Sequence, residues 1–232
     1  MFGNGSRSSR VLALVAALNE EEGIGGTLAE LGKFLENSTL LVVDGRSTDG
    51  TVRIAKDSGA DVLIQNGRLG KGDAVRQAID YLNTEFDYVV LTDADYTYPA
   101  EFLPKMIEIL DENPGVGMVC GNRFNNHFQI SGMRNLLYFG NRLLAFVHNL
   151  LNGVKMRDPL TGLRVVRWKI FKDWKPKSKG FDVEVELNHH VERKGYGIKE
   201  LDIPYRRRLG EKKLGFKHGF EILKRILAEC AY

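Results

Sequence analysis

Two aspartates one residue apart, Asp93 and Asp95, carry the clearest chemistry in this sequence. They follow the apolar run Tyr88–Thr92, which has the length and composition of a buried strand, so the pair falls at a strand end. Two carboxylates at this spacing can share a hard divalent cation, because Mg²⁺ and Mn²⁺ prefer oxygen ligands. A solvated turn is the alternative interpretation, since aspartate is common in turns.

Two further segments offer groups that suit a nucleotide. Asp44 ends the run Leu40–Val43 and can accept hydrogen bonds from a base or a ribose, as acidic residues do in other nucleotide folds. The glycine-rich loop Gly67–Gly72 brings backbone amides and Lys71 to the start of a predicted helix, where anions are favoured. The loop lacks the serine or threonine of a P-loop. A phosphate-binding loop and a plain connecting loop therefore stay equally open.

Short apolar runs alternate with helical patterns in the first half of the chain, which predicts a parallel sheet covered by helices. Ligands of such sheets bind in the crevice at the carboxyl ends of the strands. The polar residues that follow the strands, including Asn19 and Glu20, should therefore gather along one edge. The predicted strands are Val11–Leu18, Leu40–Val43, Val62–Gln65, Tyr88–Thr92 and Val116–Cys120.

The second half of the chain departs from this alternation. It predicts a hairpin-like segment at Thr161–Arg167, a helix at Asp182–Lys194 and an edge strand at Ile198–Tyr205, where Pro204 limits pairing. No repeat or low-complexity linker interrupts the chain, which favours one domain with a C-terminal elaboration. The predicted divisions are a flexible N-terminus at 1–10, a catalytic domain at 11–214 and a C-terminal basic helix at 215–232.

Two segments mix apolar and basic residues in a way typical of helices that lie in a membrane interface. Segment 130–151 is apolar almost all round yet contains Arg134 and Arg142, and a buried core helix is its alternative interpretation. The final helix places Phe216, Phe220, Leu223 and Leu227 on one face, with basic residues around it. No stretch reaches the roughly 18 uninterrupted apolar residues of a spanning helix. We therefore predict a peripheral protein that lies against an anionic bilayer.

Composition excludes several other classes. Lys and Arg number 33 against 30 Asp and Glu, a net charge of +3 that is too balanced for a general nucleic-acid binder. The region Val191–Arg225 nevertheless carries eleven basic and five acidic residues. Cys120 and Cys230 cannot form a disulfide framework, which favours a reducing, intracellular setting. The sequence also lacks the common motifs of zinc proteases, serine hydrolases and dithiol redox proteins.

The ordered set of motifs resembles glycosyltransferase family two, in particular the branch of dolichyl-phosphate mannose and glucose synthases, which act on polyprenyl phosphates. The resemblance covers about Val11 to Leu214 and implies the GT-A fold, a Rossmann-like mixed sheet that binds a nucleotide sugar. The segments that carry it are Leu18–Glu22, Val42–Thr51, Gly70–Gly72, Asp93–Asp95, Gly121–Phe124, Asp158–Arg164, Gly180–Glu186 and Gly210–Leu214.

The resemblance also implies a role for individual residues. Asp93, Asp95 and Arg123 would be catalytic, and Mg²⁺ or Mn²⁺ would bind Asp93, Asp95 and Thr97, the last standing where the family often has glutamine. The residues implied for the nucleotide sugar are Ala16, Leu18, Asn19, Glu20, Asp44, Lys71, Asp93, Ala94 and Asp95. Those implied for donor or acceptor phosphates are Arg123, Arg134, Lys179 and one of Arg207 and Arg208.

The implied reaction moves a hexose from GDP-mannose, UDP-glucose or a similar donor to dolichyl or polyprenyl phosphate, with inversion, in support of protein glycosylation or cell-surface glycan synthesis. A lipid phosphate is already ionised, so the reaction needs no general base, unlike transfer to a sugar hydroxyl. Such a transferase would work at the cytoplasmic face of a membrane, and the branch allows for a membrane-anchoring partner subunit. One alternative is a family member that extends a polysaccharide with Asp158, Asp182 or Glu184 as base. Another is a non-catalytic lipid-binding relative.

Overall fold

A single seven-stranded sheet forms the centre of the protein. The computed structural model describes residues 9–124, 135–151, 155–211 and 216–229. The strands are β1 (Val11–Ala17), β2 (Ser38–Asp44), β3 (Asp61–Ile64), β4 (Tyr88–Asp93), β5 (Val116–Asn122), β6 (Arg164–Arg167) and β7 (Gly197–Asp202). They lie in the order β3-β2-β1-β4-β6-β5-β7 across the sheet.

The sheet is mixed because one strand runs against the others. β6 lies between β4 and β5 and is antiparallel to both, whereas β1, β2, β3 and β4 pair in parallel and β7 pairs in parallel with β5. This confirms the mixed sheet of the predicted fold class and the edge position of the last strand. The hairpin-like prediction for Thr161–Arg167 is wrong, since this strand pairs with distant strands on both sides.

Helices cover both faces of the sheet, and strand alternation decides which side chains each face buries. The helices are α1 (Ile24–Phe34), α2 (Thr51–Asp57), α3 (Lys71–Tyr81), α4 (Leu103–Glu112), α5 (Asn135–Leu151), α6 (Trp168–Phe171), α7 (Val183–Arg193) and α8 (Phe216–Glu229). On β1, Val11, Ala13 and Val15 join the core under α1 and α4, while Leu12 and Leu14 join the core under α3 and α7.

The two amphipathic segments form α5 and α8, which pack against each other and against α7. A small apolar cluster joins them, with Val185 of α7 beside Ile222 and Ile226 of α8. Their outer sides leave large apolar residues in solvent: Leu143, Phe146 and Leu150 on α5, Phe220 and Leu227 on α8. Across the residues described, no helix combines the length and apolar content needed to cross a membrane. Of the predicted segments, residues 1–8, 130–134, 215 and 230–232 lie outside the described residues.

The register of the parallel strands aligns their carboxyl ends. Ala17 of β1 lies opposite Asp44 of β2, and Ala16 of β1 lies opposite Asp93 of β4. The strand ends that the sequence marked with polar residues therefore meet at one edge of the sheet, as predicted.

Candidate active site

A cleft of about 520 Å³ opens at this edge. The strand ends and the loops after β1 and β4 form its floor, α3 and α7 form one wall, and α5 and α8 contribute Asn141, His218 and Ile222. The polar and charged side chains that line it are Glu20, Gln65, Lys71, Asp93, Asp95, Tyr98, Arg123, Asn141, Glu184, Tyr205, Arg208 and His218.

Asp93 shares a buried lysine with a glutamate from α7. Lys71 Nζ lies 2.5 Å from Asp93 Oδ1 and 2.7 Å from Glu184 Oε1. Burial opposes the charge of Lys71, but the two carboxylates outweigh it and raise the pKa of the ammonium. Burial would likewise raise the pKa of Asp93, yet the Lys71 charge holds that pKa below its usual range. Lys71 is therefore a fixed positive charge that connects α3, β4 and α7.

Asp95 is held from two sides. Its Oδ1 accepts hydrogen bonds from Thr97 Oγ1 at 2.6 Å and from the Thr97 amide at 3.2 Å. Its Oδ2 lies 2.5 Å from Arg208 Nη1, and the same guanidinium pairs through Nη2 with Glu20. Burial, and then the nearby charge of Asp93, raise the pKa of Asp95. The Thr97 hydroxyl thus donates to Asp95, and the role of metal ligand that the family resemblance implied for Thr97 stays a prediction.

The backbone of the Asp93–Tyr96 loop is unusual. Tyr96 has a φ of +64°, a left-handed conformation that is rare for a bulky side chain. Its amide donates to Thr27 Oγ1 and its hydroxyl to Glu30, both on α1. These bonds to a packed helix hold a strained turn that directs Asp93 and Asp95 into the cleft.

Glycine lets two other chain segments approach the aspartate loop. A Cβ on Gly162 would lie 2.5 Å from Asp93 Oδ2, and a Cβ on Gly23 would lie 2.6 Å from the carbonyl oxygen of Ala94. Neither distance is tolerable between non-bonded heavy atoms, so a Cβ at Gly23 would clash with backbone and a Cβ at Gly162 would displace the Asp93 carboxylate. The loop is consequently enclosed by backbone on two sides.

Arg123 follows β5 and lies at the cleft, but its guanidinium is committed to a buried partner. Its Nε and Nη2 donate to Asp158 at 2.7 and 2.8 Å. The Cζ of the guanidinium lies 5.2 Å from the centre of the Tyr205 ring. Burial opposes the charge, and Asp158 overcomes this and raises the pKa of Arg123. Asp158 itself is fully buried.

The nucleotide residues expected at the first two strand ends divide into two groups. Ala16 and Leu18 line the cleft together with Glu20. Asp44 is fully buried, and its carboxylate accepts from the amide and the hydroxyl of Ser47. Asn19 accepts from the Thr48 amide at 2.8 Å. Asp44 and Asn19 thus shape the turn after β2, instead of presenting their oxygens to the cleft as the sequence led us to expect.

The basic residues expected at phosphates also separate. Arg208 lines the cleft, whereas the side chain of Arg207 is exposed and does not line it. Lys179 is exposed beside a neighbouring open groove of about 610 Å³, which also contains Lys177 and Lys224. Arg134 lies outside the described residues.

The residues present fit a divalent cation at the aspartate pair. Each carboxylate already has a cationic side chain against one oxygen, Lys71 on Asp93 and Arg208 on Asp95. Asp93 is partly open to the cleft, and its negative charge helps to raise the pKa of Asp95. A hard cation relieves such repulsion between carboxylates. Asp93 and Asp95 therefore form the donor set that such an ion prefers, with Thr97 fixing the second aspartate.

Sequence reasoning missed two residues and underrated a third. Tyr98 accepts a hydrogen bond from the Gly162 amide at 2.7 Å, and Tyr205 packs against its ring. Glu184 was considered only as a base, while in the structure it pairs with Lys71. The sequence could have indicated Glu184 only through its position on the first turn of a predicted helix, because its partner Lys71 lies far away in sequence.

The sequence of this chain is similar to those of several known proteins. Residues 13–174 match the profile of the family described as Glycosyl transferase family 2. A dolichyl-phosphate hexose transferase of Haloferax volcanii is 34% identical over 94% of this chain and 92% of its own length. An undecaprenyl-phosphate mannosyltransferase of Micrococcus luteus is 29% identical over 88% of this chain and 87% of its own.

Solved structures show the same fold. A glucosyl-3-phosphoglycerate synthase of Mycobacterium tuberculosis, solved with Mn²⁺, UDP-glucose and phosphoglyceric acid, superposes with a TM-score of 0.75 at 22% identity. The match covers 96% of this chain and 80% of that one. At this identity the likeness concerns the fold.

Proposed function

The chain belongs to glycosyl transferase family 2, and we propose that it transfers a hexose from a nucleotide sugar to the phosphate of a polyprenyl lipid such as dolichyl phosphate. The observation that carries the proposal is that each of the three carboxylates considered as a base is already paired with a cation. A sugar hydroxyl needs a free base, whereas a lipid phosphate is already ionised. The pairs are Asp158 with Arg123, Asp182 with Arg225 and Glu184 with Lys71. The two relatives named for lipid phosphates support the same acceptor.

The roles of the cleft residues follow from charge. Asp93 and Asp95 would hold Mg²⁺ or Mn²⁺, which when bound supplies positive charge for the donor diphosphate. Lys71 adds a fixed positive charge on one side and Arg208 adds another on the opposite side, and positive charges in the cleft stabilise a departing nucleoside diphosphate. Attack by the acceptor oxygen opposite the leaving group inverts the anomeric carbon. Arg123, which is paired with Asp158, adds a positive charge to the cleft that would face the acceptor phosphate.

The helices α5 and α8 would keep the protein at the membrane. Their outward apolar side chains are the kind that insert below lipid headgroups, and exposed Arg142 and Lys224 lie on the same helices. Basic residues near an anionic surface each favour binding by about 1 kcal/mol. We propose that the enzyme is a peripheral protein that works at the cytoplasmic face of the membrane, with its cleft directed at the acceptor phosphate. A membrane-anchoring partner subunit is compatible with this arrangement.

A transfer assay tests the proposal directly. The protein is incubated with Mn²⁺, polyprenyl phosphate in vesicles and labelled GDP- or UDP-sugars, and the lipid fraction is analysed. We expect a labelled lipid with one of the donors. Asp95→Ala should abolish it, because it removes half of the cation site, whereas Asp80→Ala, an exposed carboxylate on α3, should leave it unchanged. The absence of product with every donor, or full activity of Asp95→Ala, would refute the proposal.

One observation favours the hydroxyl acceptor as a second candidate. Glu184 Oε2 is buried and has no hydrogen-bond partner among the residues described, and Glu184 lines the cleft. A sugar acceptor should then replace the lipid phosphate in the same assay and give a product whose rate depends on Glu184. A non-catalytic relative would instead show no Mn²⁺-dependent thermal shift with GDP or UDP, because ligand binding must raise the melting temperature.

A further inference from the structure

The segment 203–211, here called the strap, follows β7 and runs beside the loop that carries the two aspartates. Its backbone is tied to that loop at two points. The Arg206 amide donates to the Thr97 carbonyl at 3.0 Å, and the Leu209 amide donates to the Asp95 carbonyl at 3.1 Å. Arg208 lies between these two points, and the strap therefore holds it directly beside Asp95.

The side chain of Arg208 connects two acidic residues of the cleft. Nη1 lies 2.5 Å from Asp95 Oδ2, and Nη2 pairs with Glu20. The third nitrogen, Nε, is buried and has no hydrogen-bond partner within the described part of the chain. Thr97 donates to Asp95 Oδ1, and the guanidinium of Arg208 lies against the other oxygen, Oδ2. Both oxygens of Asp95 therefore already have a partner.

We infer that Arg208 and a divalent cation compete for Asp95, because the guanidinium already supplies positive charge to that carboxylate. The inference rests on the proposed function only for the identity of the cation. It makes Arg208 the residue that sets the affinity of the site for metal. It also assigns the strap a second position, in which Arg208 has left Asp95.

Electrostatics requires this competition. A guanidinium and a divalent cation repel each other strongly at contact distance where water is largely excluded, and the guanidinium of Arg208 already lies against Asp95 Oδ2. The displaced arginine still has Glu20 as a partner and a free Nε–H. Its planar set of donors matches phosphate oxygens, so a nucleoside diphosphate that arrives with the cation gives it a new partner.

The test measures metal binding without any transfer reaction. Free Mn²⁺ is followed by electron paramagnetic resonance while MnCl₂ is titrated into the wild type, Arg208→Gln, Arg208→Lys and Arg207→Gln. Arg207→Gln is the matched control. It also removes one positive charge, but from the exposed side chain of the residue next to Arg208. We expect the Kd for Mn²⁺ to fall by about tenfold or more in Arg208→Gln, by less in Arg208→Lys, and little in the control.

Hydrogen exchange of the strap gives a second readout on the unaltered protein. Mn²⁺ alone should speed exchange at the amides of Arg206 and Leu209, because the strap loses its side-chain contact with Asp95. Equal Mn²⁺ affinity in the wild type and Arg208→Gln, weaker binding in Arg208→Gln, or no Mn²⁺ binding by either overturns the inference, as does slower exchange in the strap. A failure of the transfer assay with these results intact would overturn the proposed function alone.

Discussion

Replacing two outward side chains of α5 should release the protein from membranes. Phe146 and Leu150 are 63% and 68% exposed, one turn apart on the side of α5 that faces solvent. Full burial of a Phe or Leu side chain is worth roughly 1.5–3 kcal/mol, so immersing the exposed two-thirds of each in lipid contributes about 1–2 kcal/mol. Loss of both therefore removes about 2–4 kcal/mol, which corresponds to a decrease of roughly 30- to 1000-fold in the partition coefficient.

The assay is co-sedimentation of the protein with sucrose-loaded vesicles that contain anionic lipid. The variant is Phe146→Gln/Leu150→Gln, since glutamine is a good helix former and both positions are exposed, so that folding should be unaffected. Tyr81→Gln is the control: Tyr81 is 54% exposed, but it lies at the end of α3 remote from the cleft. If the double variant sediments like the wild type, or if Tyr81→Gln is released equally, the assignment of α5 to the membrane is wrong.

Two further predictions concern the site and the fold. Gly162→Ala places a Cβ 2.5 Å from Asp93 Oδ2 and should abolish the Mn²⁺-dependent thermal shift with nucleotide, whereas Gly115→Ala, which adds a Cβ in open space, should keep it. Retention of the shift in Gly162→Ala would contradict the close approach. Burial lowers the pKa of His189 to about 4, so the folded protein keeps this residue neutral while the unfolded chain binds a proton below its pKa of 6.5. The free energy of unfolding, measured with urea, should therefore decrease as the pH falls from 6.5, by up to about 3 kcal/mol near pH 4 from this residue. His189→Gln should flatten that dependence, and an unchanged slope would be evidence against a neutral buried His189.

The sequence was sufficient for features that depend on local patterns. The apolar runs at Val11–Leu18 and Tyr88–Thr92 became β1 and β4, and parallel register then brought Ala16 opposite Asp93. The position of β6 could not be predicted in this way. Its four residues pair with strands that are distant in sequence on both sides, and a pattern of so few residues does not specify partners.

The residues of the site likewise fall into those that local sequence patterns indicate and those that only the folded chain brings together. The aspartate pair and Lys71 were evident because each follows a strand or begins a helix. The contact of Arg208 with Glu20 joins residues 188 positions apart, and the periodicity of the sequence does not predict such a contact. Asp44 is a different case: its position at a strand end was predicted correctly, and the structure adds that its carboxylate accepts hydrogen bonds from the neighbouring Ser47. A residue type identifies a chemistry, and only the local hydrogen bonds decide whether that chemistry is directed outward.

The shared wall of the cleft has a consequence for how an acceptor would be found. α5 and α8 present Asn141, His218 and Ile222 to the cleft while their other sides expose Phe146 and Phe220. An enzyme resting on lipid by those helices would meet its acceptor by diffusion within a plane. The relevant concentration is then the number of acceptor molecules per area of bilayer, and the water-soluble donor is the substrate that samples three dimensions.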